Sequence, residues 1–200
     1  MPSSIFTSDD AAIGFVVVLI CFFASESIGT MISRIRRGGA RVERTRSLGN
    51  VVSNIMVFFA WMTVLVFSVV IAKAGLGLLP GWVYCVGIAV MLGGIALRQW
   101  AIAVLGGYFS SVIGVQKEQK VVESGPYRLI RHPSYTGALI FYVGMGLAVQ
   151  SWAAVLIGIA IFSLVYGYRI LLEEKALISQ LGNNYVEYMK RTKRVIPYMI

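Results

Sequence analysis

Residues 51–74, VVSNIMVFFAWMTVLVFSVVIAKA, decide the class of fold. A helix that crosses a bilayer needs about 20 consecutive, mostly apolar residues, and this run supplies them with Lys73 as its only charge. Four further segments of similar character flank it. They lie at about 11–32 (with Glu26 inside), 81–105 (with Arg98 inside), 134–150 and 152–172. Only the Gln150-Ser151-Trp152 region separates the last two, which predicts a tight antiparallel hairpin. The expected fold is therefore all-α, a polytopic membrane protein with five transmembrane helices in one domain over residues 1–200. Composition agrees. Of the 200 residues 58% are hydrophobic and 14% charged, with a mean hydropathy of +0.77. A soluble domain carries roughly 25% charged residues, so a soluble globule and a disordered chain are both excluded.

The 18 Lys and Arg outnumber the 9 Asp and Glu, for a net charge of +9. Their placement explains the excess. Arg34, Arg36, Arg37, Arg41, Arg44 and Arg46 lie between spans one and two, and Lys117, Lys120, Arg128 and Arg131 between spans three and four. Lys175, Lys190, Arg191, Lys193 and Arg194 follow span five. An alternating five-span path gathers all three groups on one side. The other side receives Asp9, Asp10, the GLGLLPG turn (75–81) and the turn at 150–152, with Lys73 the one exception. The positive-inside rule then predicts an N-terminus outside, a C-terminus in the cytoplasm, and the cell membrane as location for a prokaryotic chain. Basic residues beside spans, with no binding motif, exclude nucleic acid as a partner. Cys21 and Cys85 sit in apolar runs without metal-ligand spacing and read as buried thiols. MPSSIFTSDDAA precedes its apolar run with acidic residues, the reverse of a signal peptide.

The polar chemistry lies in the second half. QKEQKVVESGPYRLIRHPSYTG, residues 116–137, is dense in polar and aromatic groups directly before span four. Gly125-Pro126 signals a turn, and Pro133 suits a helix start. His132, the only histidine, stands at that start, where it is either a capping residue or a functional one. In YGYRILLEEKAL (166–177), Arg169 and Glu173 are four apart and share a helix face. That pair reads either as a local salt bridge with a snorkelling arginine or as an anion site near lipid depth. Glu26 and Arg98 fall at similar depth, and a structural ion pair is favoured over a substrate contact because a lone charge there costs several kcal/mol. The tail predicts helix from Glu173, a break at Gly182–Asn184, a short helix carrying Tyr185 and Tyr188, and an extended end with Pro197.

GPYRLIRHPSYTG, then RILLEEKAL about 30 residues later, then LGNNYVEYMKRTKRVIP, resembles the isoprenylcysteine carboxyl methyltransferase family over roughly residues 105–197. The chain is similar to its short, five-span prokaryotic type. The resemblance implies a cofactor region at about 106–135 and 169–197. It also implies S-adenosyl-L-methionine as methyl donor, S-adenosyl-L-homocysteine as product, and a prenylated cysteine carboxylate as lipophilic acceptor from the bilayer. On the same resemblance the donor is held by Gln116, by a strand-like Gln119, Lys120, Val121 and Val122, by Tyr127, by His132, Pro133, Ser134 and Tyr135, and by Glu173. Arg169 binds the acceptor carboxylate, and no metal is expected.

The residues suit those roles. Glu173 can accept from the donor's amino group or ribose, and His132 with helix amides can hold its carboxylate. Tyr127 and Tyr135 can pack on adenine or face the sulfonium. Three rivals remain open. A phospholipid N-methyltransferase on the same scaffold takes an amine acceptor and has less need of Arg169, so methyl transfer to prenylcysteine or to phosphatidylethanolamine separates the two. A membrane reductase for sterol-like lipids needs NADPH. A non-enzymatic binding protein tolerates loss of His132 and Glu173. GLGLLPG follows no strand, so a soluble Rossmann-type donor site is unsupported.

Overall fold

The computed structural model describes residues 9–38, 42–44, 48–110, 113–116 and 119–196. The helices are α1 (Asp9–Arg36), α2 (Leu48–Lys73), α3 (Val83–Leu105), α4 (Pro133–Ala148), α5 (Trp152–Leu181) and α6 (Asn183–Arg191). Two three-residue strands, β1 (Val42–Arg44) and β2 (Gly114–Gln116), pair antiparallel with Glu43 opposite Val115. Among the described residues α1, α2, α3 and α5 are long and apolar enough to cross a membrane. Their outward faces carry Ile13, Val16, Ile20, Phe58, Phe59, Val66 and Leu164 in exposed positions. On a soluble protein such a surface marks a liability; on an integral membrane protein it is the lipid face.

The fourth expected span takes a different form. α4 has 16 residues, about 24 Å at 1.5 Å per residue, which falls short of a hydrocarbon core about 30 Å thick. Twelve of those 16 residues are buried, so α4 is the central helix and does not face lipid along its length. It stops at Ala148 because Gln150 adopts φ 58° and the chain turns back. That turn is locked to the α2–α3 loop: Leu79 N donates to Gln150 O at 2.8 Å and Ser151 Oγ donates to Leu76 O at 2.7 Å. Glycines let α3 and α4 touch along their backbones. A Cβ on Gly94 would lie 2.7 Å from Gly137 O, and one on Gly144 would lie 2.6 Å from Met91 N. Small residues serve this purpose in membranes, where apolar burial alone drives helices together weakly. α5 packs on α4 and α2, and α1 leans on α3.

Other sequence expectations need adjustment. α1 and α5 run past the expected spans, to Arg36 and Leu181, because their helices continue through polar residues beyond the apolar run. Residues 119–122 form no strand, and the strand lies at 114–116 instead. The β-branched Val121 and Val122 favour extension, yet a strand also needs a partner. Cys21 and Cys85 are exposed, not buried, since an apolar thiol can face lipid at no loss. The expected break after α5 is a single glycine, Gly182 at φ 57°. Pro197 lies outside the described residues.

Candidate functional site

Between the end of α3 and the start of α4 the chain forms a 3₁₀ turn at Gly125–Arg128 and then a short extended piece. The tail after α6 straps this piece down. Arg131 N donates to Lys193 O at 2.7 Å, His132 N to Arg194 O at 3.0 Å, and Lys193 N to Leu129 O at 3.1 Å. Tyr188 Oη donates to Tyr127 O at 2.7 Å. Under the strap lies Glu174, 3% exposed, whose oxygens accept from Arg131 Nε at 2.8 Å and Arg194 Nε at 3.1 Å. Burial pushes the hydroxyl pKa values of Tyr127, Tyr185 and Tyr188 up, so all three are neutral phenols at physiological pH.

Pro133 opens α4, and its missing N–H costs nothing at that position. His132 occupies the N-cap position but makes no side-chain capping bond, which removes the plainer of its two readings. Its ring is buried and stacks on Tyr135, with centroids 5.5 Å apart and an interplanar angle of 9°. His132 Nε2 is buried with no hydrogen-bond partner, Glu174 Oε1 standing 3.5 Å away. His132 Nδ1 lies 3.9 Å from Glu173 Oε2.

Tyr135 joins α4 to α5. Its hydroxyl donates to Glu173 Oε2 at 2.7 Å and accepts from Arg169 Nε at 2.8 Å. The expected neighbours on one helix face are thus bridged by a phenol from another helix. Arg169 is 6% exposed, and its Nη1 donates to Asn54 Oδ1 of α2 at 2.7 Å. Behind it, Glu26 and Arg98 form a two-pronged pair, Nε to Oε1 and Nη2 to Oε2, each 2.6 Å. Arg98 Nη1 also donates to Ser134 O at 2.9 Å, so the pair fixes the first turn of α4. The expected pairing of these two charges is present, and both residues also line the cavity.

One cavity of about 480 Å³ collects these groups. From α5 it takes Tyr166, Arg169, Glu173 and Leu177, spaced at three and four residues along one helix face. From α2 it takes Asn54, Val57, Phe58 and Trp61, again one face. α1 contributes Phe22, Phe23 and Glu26. Of the residues expected from sequence, Gln119, Lys120, Val121, Val122, Tyr127, His132, Ser134, Tyr135, Arg169 and Glu173 line it. Pro133 shapes the start of α4 but is not in the wall, and Gln116 belongs to β2, where only its backbone is described. Asn54, Trp61 and Tyr166 also line the cavity and were not expected. Asn54 alone left a trace, as an amide inside an apolar run.

The cavity has two chemical ends. Toward the strap it is polar, with His132, Tyr127, Tyr135 and Glu173. Along α1 and α2 it turns apolar, where Phe22 and Trp61 pack with ring centroids 4.4 Å apart. Phe23 and Phe58 are 44% and 60% exposed there, so the apolar end reaches the lipid-facing surface. Residues 86–179, which carry α3, α4, most of α5 and the segment between α3 and α4, match the family model of isoprenylcysteine carboxyl methyltransferase (ICMT). Over these residues the chain is similar to that family. Protein-S-isoprenylcysteine O-methyltransferase B of Arabidopsis thaliana is 31% identical over 120 residues, 59% of this chain and 61% of that protein. The Xenopus laevis protein-S-isoprenylcysteine O-methyltransferase is 31% identical over 121 residues, 59% of this chain and 42% of its own length. Against these two the chain spans only 61% and 42% of the relative's length. A solved structure of the eukaryotic intramembrane Ras methyltransferase ICMT superposes with a TM-score of 0.55 at 24% identity, covering 72% of this chain and 52% of that one. That likeness concerns the fold. α1 and α2, with Glu26, Asn54 and Trp61, lie outside the residues that match the ICMT family model.

Proposed function

We propose that the protein is an S-adenosyl-L-methionine-dependent carboxyl O-methyltransferase acting on the C-terminal carboxylate of a prenylated cysteine. The observation that carries this reading is one cavity with a polar end under the strap, an apolar end at the lipid face, and Arg169 between them. A polar donor and a greasy acceptor each find a matching wall.

The residues present suit the donor. His132 lines the wall, its ring stacked on Tyr135 and its Nδ1 on the Glu173 side, and it belongs to the proposed donor region. The Glu173 side chain is 34% exposed and can take the amino group or ribose. Tyr127 and Tyr135 offer ring faces to adenine or to the sulfonium. Gln119, Lys120, Val121, Val122 and Ser134 complete the wall, while Gln116 and Pro133 belong to the proposed donor region by family resemblance. Bound there, S-adenosylmethionine supplies an activated methyl group whose transfer to a carboxylate oxygen leaves a methyl ester and S-adenosylhomocysteine.

The chain's own contribution is placement. Arg169 presents a guanidinium held from two sides, by Tyr135 and by Asn54, and a planar fork so fixed orients a carboxylate. A carboxylate is already nucleophilic, so no general base is required. Proximity and the exclusion of water from a buried cleft supply the rate. An amine acceptor would meet the buried cation of Arg169 unfavourably, which argues against the phospholipid N-methyltransferase reading. Arg34 and Arg36 end α1 at the strap end of the bundle and Arg37 follows, its Nε donating to Gly107 O at 3.1 Å. This supports a cytoplasmic strap end, an N-terminus outside and donor access from the cytoplasm. Radiolabelled methyl transfer to N-acetyl-S-farnesylcysteine and to phosphatidylethanolamine, run side by side on the purified protein, tests the reading. Label in the cysteine derivative alone is expected.

A further inference from the structure

Among the described residues of α2, Asn54 is the one amide in the cavity wall, on the same helix face as Val57, Phe58 and Trp61. Its side-chain oxygen accepts from Arg169 Nη1 at 2.7 Å. That bond fixes the orientation of the amide. A guanidinium has no acceptor, so it can face only the oxygen, and the Nδ2 group with its two N–H donors is turned to the other side. A hydrogen-bond donor pair therefore stands beside the Arg169 guanidinium at the junction of the polar and apolar ends. Further along the face, Val57, Phe58 and Trp61 are apolar and lead to the lipid side.

We propose that Asn54 is a second hydrogen-bond donor to the acceptor carboxylate and the residue that makes the site select an acid over its neutral analogues. The inference rests on the proposed carboxyl methyltransferase reading and adds a contact from α2, outside the residues that match the family. The geometry assigns the amphiphile a direction. Its carboxylate lies alongside the Arg169–Asn54 hydrogen bond, within reach of the guanidinium and of the Asn54 Nδ2 group, and its chain follows Val57, Phe58 and Trp61 toward the bilayer. A neutral amide donor beside the arginine also divides the work of holding the anion. Two donors fix the orientation of a carboxylate better than one, and the amide does so without adding a second charge.

Asn54→Asp keeps an acceptor for Arg169 Nη1 and removes both N–H donors, so an unchanged acceptor KM excludes the donor role. An aspartate still accepts from Arg169 Nη1, as a stronger partner, so a purely positioning role is preserved. It loses both N–H donors and sets a negative charge against the acceptor. The measurement uses the full chain in detergent with N-acetyl-S-farnesylcysteine as the methyl acceptor and its carboxamide as a competitive inhibitor. S-adenosylhomocysteine affinity and thermal melting serve as controls. The expected result is a rise in acceptor KM of about ten- to a hundred-fold, the size of a lost charge-assisted hydrogen bond. The carboxamide should bind at least as well as to the parent, and S-adenosylhomocysteine affinity should stay within about twofold. An unchanged acceptor KM overturns the proposal and reduces Asn54 to a prop for Arg169, leaving the carboxyl methyltransferase reading intact. A parent protein that methylates no prenylcysteine overturns both. If the aspartate variant does not fold, Asn54→Ala decides by the same comparison: the preference for acid over carboxamide should fall by about tenfold or more, and an undiminished preference refutes the proposal.

Discussion

The Tyr135 hydroxyl donates to Glu173 Oε2 across 2.7 Å and ties the first turn of α4 to the far end of α5. The same oxygen accepts from Arg169 Nε. One phenol therefore stands between the residue assigned to the methyl donor and the residue assigned to the acceptor. The phenol uses its one proton on Glu173 and its oxygen lone pair on Arg169, so it serves both residues at once.

Tyr135→Phe keeps the ring that stacks on His132 and deletes only the bridge. The variant should fold normally and lose about 1–2 kcal/mol of S-adenosylhomocysteine affinity, because Glu173 and Arg169 each lose a buried partner. Titration calorimetry reads the loss. Wild-type affinity together with wild-type turnover would show that the bridge is incidental.

Glu173→Ala removes the donor-facing carboxylate itself. A charge-assisted contact is worth about 1.5–3 kcal/mol, so S-adenosylhomocysteine binding should weaken more than in the tyrosine variant. The double variant should fall short of the summed losses, since Tyr135 acts partly through Glu173. Unchanged affinity in Glu173→Ala would reassign this glutamate to the architecture of the site.

Glu174, next in sequence, has a different duty. It is buried between Arg131 and Arg194 and holds the tail strap over the cavity. Its replacement by alanine leaves Arg131, with a side chain 7% exposed, without its carboxylate. Breaking such a buried pair costs about 3–5 kcal/mol. A clear drop in melting temperature in detergent is expected, with donor binding lost along with the strap. A melt identical to the parent's would contradict this account.

The Glu26–Arg98 pair offers a cycle. Glu26→Ala leaves a charged guanidinium uncompensated inside the membrane, whereas Glu26→Ala with Arg98→Met leaves none. The double variant should melt higher than the single one. The reverse order would show that Arg98 has a better partner than Glu26.

Much of this was legible before any coordinates. Run length placed four long helices, Pro133 marked the start of α4, and Gly182 ended α5. Matching depths joined Glu26 to Arg98. What escaped depends on contacts between segments distant in sequence. Arg169 and Glu173 sit one helical turn apart, which suggests direct pairing; that Tyr135 enters between them depends on how α4 crosses α5. Adjacent glutamates point about 100° apart on a helix, so Glu173 faces the cavity and Glu174 the strap. Nothing in EE tells which is which. The apolar composition of α4 suggests a full span, yet a helix enclosed by its neighbours need not match the bilayer thickness. The apolar runs around Cys21 and Cys85 suggest burial, yet a membrane protein can turn apolar side chains outward.

The central claim is that Arg169 orients a carboxylate for methyl transfer. Arg169→Lys tests it, because a point-charge ammonium cannot reproduce the two-donor fork. The measurement is labelled methyl transfer from S-adenosylmethionine to N-acetyl-S-farnesylcysteine by the parent and the lysine variant, with S-adenosylhomocysteine affinity and thermal melting recorded on the same preparations. The account predicts methylation by the parent, a loss of turnover of about a hundredfold or more in the variant, and at most a modest loss of donor affinity. A lysine variant that methylates the prenylcysteine at the parent's rate would contradict it.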